Sequence, residues 1–383
     1  MNPINQYTPK KSLSIPKVIL LQTFTFVMIF IFGLNSLNLF AQSHDQPSDN
    51  LEILSTKPSH KKPVIVVIGE NQYTELTDFI VPYGILKRSD IAEVYAVAEN
   101  KGKLDMFPAL SIEINTSLDD FDNLHPEGSD LVIVPAIHNA ENKTIIHWIQ
   151  NQYERGATIV GICDGVWTLG YAGLLKNKHA TGHWYSKEKL SNVFSDTIWI
   201  RNKRYVQDKN IITTTGVTAS IPVSLALVES IAGTKKAKEM ATELGVTHWD
   251  AHHNSEGFYL DWQQYITAAK NLIFFWNYER IGISMYEGMD EISLALVADA
   301  YSRTYRSKTV AITNGNRPVL TKSGIKFVSE MEEGEKIQIH SQIEIPKQKK
   351  AFDQLVHTLV EIEKKFGRTT KRFVATQIEL PID

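Results

Sequence analysis

Short apolar runs alternate with amphipathic stretches along most of this chain. Residues 63–68 read Pro-Val-Ile-Val-Val-Ile, the unbroken hydrophobicity of a strand buried on both faces. After a turn over 69–74, residues 75–86 place Leu76, Phe79, Ile80 and Tyr83 on one side, which is helical spacing. Residues 92–98 and 130–135 predict two more strands, the second followed by a loop over 136–142. The pattern then gives an amphipathic helix over 143–156, a strand over 158–162, a strand over 208–214 and a helix over 218–232. Strands alternating with helices predict a doubly wound, mostly parallel α/β sheet, whose ligands sit at the carboxyl ends of the strands.

One of those ends carries the only cysteine. Residues 159–175 begin as an apolar strand and close as a helix rich in small residues. Cys163 lies between them, bracketed by Gly161 and Gly165. This G-x-C-x-G is a nucleophile-elbow pattern with cysteine in place of serine. A sharp strand-to-helix turn presents the side chain, and the helix N-terminus favours thiolate. A buried, inert cysteine at the end of a core strand is the competing reading.

Composition narrows the picture. A chain of 383 residues is long enough for two domains, and a formal charge of -3 points to no nucleic-acid partner. A single cysteine excludes an intramolecular disulfide and a cysteine-based metal cluster. Lys10, Lys11 and Lys17 precede a mostly apolar run over 18–32, and small residues follow around Ala41. Residues 1–41 therefore read as a signal peptide cleaved after Ala41, or as an uncleaved membrane anchor over 18–40. No cysteine follows that could carry a lipid. Residues 42–62 read as a polar linker, and the protein as exported: periplasmic, or held extracytoplasmically at a membrane.

Five stretches in order carry a family resemblance: Glu75-Leu-Thr-Asp-Phe-Ile-Val-Pro82, Asp130-Leu-Val-Ile-Val-Pro135, Gly161 to Leu175, Ala180-Thr-Gly-His-Trp184, and Ile211-Ile-Thr-Thr-Thr-Gly-Val-Thr-Ala219. Residues 63–245 resemble a DJ-1/PfpI domain of the flavodoxin-like, class I glutamine-amidotransferase-like fold, in the branch of isonitrile hydratases and amidase-like regulators. The resemblance implies Cys163 as nucleophile, Asp78 as the acid beside it, and His183 as a nearby histidine. Backbone N–H groups at the elbow and on the Ala136-Ile137 loop would stabilise a developing anion, and His138 would approach from the same loop. Two positions depart from the family pattern. Ala136 and Ile137 stand where glycines are usual. Asp164 follows the cysteine, where its carboxylate would raise the thiol pKa unless it points away.

The remainder is less specific. His248, Asp250, His252 and His253 are of metal-ligating types, but no distant ligand completes a set. A structural or pocket-rim role is the expectation, with no metal and no cofactor. Residues 246–280 read as a connection containing an aromatic helix over 263–279 that packs between domains. From Ile281 the sequence parallels Val64–Leu86, and residues 359–378 parallel 227–244. Residues 281–383 are therefore expected to be a truncated, degenerate second copy. It has no elbow, and Ser293 and Val297 replace Asp78 and Pro82. Two functions stay open: a cysteine-dependent hydratase or hydrolase of a small molecule, or a non-catalytic ligand-binding or redox-sensing protein. A homodimer is compatible with either.

Overall fold

In a computed structural model, residues 49–313, 317–329 and 338–381 are described. The expected leader over 1–41 and the start of the linker lie outside these residues. Within 49–62 the chain has no strand or helix, yet it is strapped to the body that follows. Lys57 N–H donates to the Asp130 carboxylate at 2.7 Å, and Glu52 N–H donates to the Gln207 side chain at 2.8 Å.

The apolar runs form a seven-stranded sheet in the order β11-β12-β8-β7-β1-β3-β6. These strands are β1 (Val64–Gly69), β3 (Glu93–Ala98), β6 (Thr116–Ser117), β7 (Leu131–Val134), β8 (Thr158–Gly161), β11 (Tyr205–Asp208) and β12 (Ile211–Thr214). All neighbours pair in parallel except β11 with β12. Six of six residues in β1 are buried, as its unbroken hydrophobicity requires. Helix α1 (Leu76–Ser89) follows β1 and the short β2 (Gln72–Glu75). Glu75 is its N-cap and accepts from the Asp78 N–H at 2.6 Å. Helices α2 (Leu118–Leu124), α3 (Lys143–Glu154), α4 (Gly165–Tyr171), α5 (Lys187–Val193), α6 (Ser220–Ala232) and α7 (Thr234–Leu244) complete this half.

The aromatic segment differs from expectation. Its helix α8 spans Trp262–Ile273, not 263–279, and Trp262 and Trp276 are exposed, so neither is buried between two halves. The chain is already entering β13 (Glu279–Ser284) where the helix was expected to end. Strand β13 pairs in parallel with β14 (Ser307–Ile312) and β17 (Ser341–Ile343), and α9 (Glu291–Ser302) lies between β13 and β14 in the chain. Helices α10 (Ala351–Phe366) and α11 (Arg368–Gln377) close the chain. A second sheet crosses the molecule. Its order is β15-β16-β5-β4-β2, in which β15 (Val319–Leu320) and β16 (Lys326–Val328) join β4 (Gly102–Phe107) and β5 (Ser111–Ile114). This hairpin of residues 102–114 gave no clear signal in the sequence, because half of its side chains face polar surroundings.

The two halves share one hydrophobic core, in which Phe79 and Ile85 of α1 cluster with Ile292 and Leu296 of α9. Helices α1 and α9 run antiparallel, and the approach is close at Gly84. A Cβ there would lie 2.8 Å from Glu291 Oε1 and 2.9 Å from Ile292. Ion pairs close both ends of the crossing. Arg88, ending α1, reaches Asp290 at 3.1 Å and Glu291 at 3.4 Å, and also pairs with Glu243. Arg303, capping α9, reaches Glu75 at 2.6 Å. Asp290 and Glu75 are themselves the N-caps of the two helices. Removing one partner of a buried pair strands the other, at a cost of about 3–5 kcal/mol. Glu291 is fully buried, so Arg88→Ala is expected to lower stability by about 3 kcal/mol. Urea denaturation monitored by circular dichroism measures this, and an unchanged midpoint would contradict the arrangement.

Candidate functional site

Cys163 leaves β8 with φ +54°, the left-handed conformation of an elbow, and α4 starts two residues later. Only glycine fits at 165, because a Cβ there would sit 2.1 Å from the Val134 carbonyl oxygen. The turn is also held from the neighbouring strand, where the Thr214 hydroxyl accepts the Cys163 N–H at 3.2 Å.

Three carboxylates act on the sulfur. Asp78, fully buried, comes from the first turn of α1, Glu75 caps that helix, and Asp164 adjoins the cysteine. Burial is the main cause that pushes the Cys163 thiol well above its ordinary pKa, and Asp78, Asp164 and Glu75 push it further. Arg303 opposes them. Asp78 is likewise pushed well above the usual carboxylate range, first by burial and then by Glu75; the Ala136 N–H and Arg303 act in the other direction. Burial and the neighbouring acids thus disfavour the charged form of both groups.

The loop after β7 takes a role other than the expected one. The Ala136 N–H donates to Asp78 Oδ2 at 3.3 Å, and its carbonyl accepts from the Glu75 N–H at 2.8 Å. It is thus committed to holding the acid and is not a free donor for a developing anion. The Asp164 N–H makes no hydrogen bond among the described residues and remains available at the elbow. Ile137 is half-buried against the core beneath the sheet. His138 is exposed and packs edge-on against Tyr73 at the rim, 5.8 Å between ring centres.

His183 has both nitrogens engaged. Nε2 is 3.1 Å from the Gln377 carbonyl, and Nδ1 accepts from the Tyr185 N–H at 3.3 Å. The ring is bound to the end of the chain and is not free to take the thiol proton. Residues around Glu379 form the other side of this clasp. Its buried carboxylate accepts from the Trp184 N–H at 2.8 Å and lies 3.1 Å from His253 Nε2. Burial raises the Glu379 pKa, but His253, His183 and the N–H groups of Trp184 and Gly216 more than offset it and hold it low. His253 is thus a structural partner. His248, Asp250 and His252 are exposed, so the four do not converge on a shared ion.

Two further site residues had no role assigned from the sequence: Glu75, which opens the first resemblance stretch, and Arg303, which lies in none. Glu75 and Arg303 form the ion pair behind Asp78, and Arg303 is further held by Asp299 at 2.8 Å and lies 5.8 Å over the Phe107 ring. The available signal was the parallel between the two halves, since Arg88 and Arg303 follow their helix caps at equal spacing.

Two outcomes follow. Asp164→Asn removes a charge beside the sulfur, so iodoacetamide should alkylate Cys163 on the order of tenfold faster at neutral pH. An unchanged rate–pH curve would mean that Asp164 does not act on the thiol. For Asp78, the folded pKa lies above the ordinary 3.8, so the stability it confers is complete below that value and is lost as pH rises through the folded pKa. Asp78→Asn should match the native chain near about pH 4 and exceed it in stability near about pH 8. Equal pH dependence of the two unfolding midpoints would refute this.

Comparison with known proteins completes the description. Residues 62–230 match the profile described as the DJ-1/PfpI family. Isonitrile hydratase of Pseudomonas putida is 26% identical over 171 residues, covering 44% of this chain and 72% of that protein. The Parkinson disease protein 7 homolog of Danio rerio is 24% identical over 189 residues, 48% of this chain and 96% of that one. The crystal structure of Drosophila melanogaster DJ-1beta aligns with a TM-score of 0.44 at 23% identity, covering 49% of this chain and 100% of that chain.

Proposed function

We propose that Cys163 and Asp78, within the residues 62–230 that match the DJ-1/PfpI family profile, act as a thiol–carboxylic acid pair that hydrates a small electrophilic molecule, with an isonitrile as the preferred class. The observation that carries this reading is the fully buried Asp78 carboxyl, its pKa pushed well above the usual carboxylate range, acting on a thiol on an elbow. An isonitrile carbon is a poor electrophile until it is protonated, and a carboxyl whose protonated form is favoured by burial supplies that proton. The likeness to isonitrile hydratase supports the choice of substrate.

The proton balance runs through Asp78. Its carboxyl protonates the isonitrile carbon as Sγ bonds to the same carbon, and the resulting carboxylate takes up the thiol proton. Water then adds to the thioimidate, the C–S bond breaks, and a formamide leaves with Cys163 restored as a thiol. Arg303 acts through Glu75 to keep the acid in place. A redox-sensing role fits less well, because sensor thiols are low-pKa thiolates and this thiol is pushed up.

We further read residues 281–383 as a truncated copy of the family domain that has kept its scaffold and lost its elbow. The order strand, helix, strand and parallel third strand in β13, α9, β14 and β17 supports this reading. So does the joint between the last two helices, where Gly367 (φ +91°, ψ +160°) matches Gly233 (φ +82°, ψ +167°) between α6 and α7. The copy contributes Arg303 to the site of the first half.

Incubation with cyclohexyl isonitrile, with N-cyclohexylformamide measured by mass spectrometry, tests the activity. Formamide should form above the buffer rate and fall at least about a hundredfold in Cys163→Ser and Asp78→Ala. No formamide, together with no protection of Cys163 from iodoacetamide by the isonitrile, would overturn the hydratase reading.

A further inference from the structure

A second group of chemistry-bearing side chains lies at the amino ends of the central strands, where β1 and β7 begin. Cys163 follows the far end of β8, which runs parallel to both. His60 comes from the segment preceding β1. His125 caps the end of α2, and Glu127 lies in the turn leading to β7. One ring nitrogen of each histidine and one Glu127 oxygen all lie within 4.8 Å of one another.

The surroundings of these groups are built. Asp130, its side chain fully buried, accepts the Val64 N–H at 2.7 Å and the Lys57 N–H at 2.7 Å, which holds it in place. Its Oδ2 lies 2.6 Å from His60 Nδ1. That bond places a proton on Nδ1 and turns Nε2 toward Glu127 Oε1, 2.8 Å away. A carboxylate orienting a histidine whose other nitrogen faces outward is the support that metal-bound histidines receive. The His125 ring is fixed by packing instead, with Tyr95 and Phe121 at 5.0 and 4.9 Å between ring centres. Its Nε2 is buried and has no hydrogen-bond partner among the described residues. Lys57 Nζ is occupied at the Glu127 carbonyl, 2.7 Å away, so the Glu127 carboxylate is left to the histidines.

We propose that His60, His125 and Glu127 bind a divalent transition ion, zinc by donor type, that clamps the segment before β1 to the turn before β7. Two imidazoles and a carboxylate suit zinc, with water in a fourth position. Ligand atoms around a tetrahedral zinc stand roughly 3–3.5 Å apart. Glu127, with a side chain 37% exposed, has the freedom to open its contact with His60 by that much. The distance from Cys163 makes the role structural. The ion replaces the hydrogen bond between His60 and Glu127 with coordinate bonds that join the segment before β1 to the turn before β7.

Titration of the chelator-stripped full chain with zinc by calorimetry tests this, alongside thermal unfolding with and without the ion. One zinc per chain should bind tightly and raise the unfolding midpoint by several degrees. His125→Gln and Glu127→Gln should each weaken binding at least tenfold and abolish the rise. Cobalt(II) in place of zinc should give the visible absorption of a four-coordinate nitrogen–oxygen site in the native chain and lose it in both variants. If His125→Gln does not fold, Glu127→Gln in its exposed turn carries the test. No binding by the native chain would leave only a histidine hydrogen-bonded between Asp130 and Glu127 and would overturn the proposal. Equal affinity in both variants would do the same, by placing the ion on others of the 12 histidines or on Cys163.

Discussion

The Arg303 guanidinium is the group on which both the fold and the site depend. It is nearly buried, and its nitrogens are divided between Asp299 on its own helix and Glu75 at the start of another. A buried cation is tolerated only with such partners, and the cost of desolvating it fixes the geometry tightly. Burial drives the Asp299 pKa up to about 7 even against the pull of Arg303, which shows how little water reaches this junction. The pairing of Arg88 with Asp290 mirrors it at the other end of the helix crossing. The two halves therefore cannot separate without exposing a shared core and stranding charges at both ends.

The chemistry follows from the same lack of solvent. Asp78 and Glu75 would both be anions in water, and the interior disfavours that much negative charge. Arg303 compensates for Glu75, while burial pushes both the Asp78 carboxyl and the Cys163 thiol toward their protonated forms. The Ala136 N–H is used to anchor the acid, and His183 is held by the last turn of the chain. What remains for reaction is a proton-bearing pair, a narrower device than a thiolate with a histidine base.

How much of this was legible depended on how local each feature is. An elbow is defined by a few consecutive residues, so Gly161-Ile-Cys-Asp-Gly165 could be read directly, and Gly165 is where the structure needs no side chain. The buried strands were legible because a run such as Val64–Ile68 has no polar side to present to water. Asp78 was legible only through its spacing from Pro82. The hairpin over 102–114 was not, since its alternation is broken, and the aromatic helix was drawn too long because Trp276 and Tyr278 looked like core and are exposed.

The sequence alone determined the alternation of elements, the parallel sheet and the thiol at its turn. Each of these rests on near-neighbour sterics or on hydrophobic periodicity, which a chain carries with it. Tertiary structure decided which groups are charged. Whether His183 is a base or a tether, whether Ala136 serves an anion or an acid, and whether Arg303 reaches Glu75 all depend on contacts between residues far apart in the chain. Residues 49–62 make the same point: they read as a polar linker, yet His60 is seated against Asp130 in the folded body. Protonation is set by burial and by charges arriving from other elements, and neither is written in a local pattern.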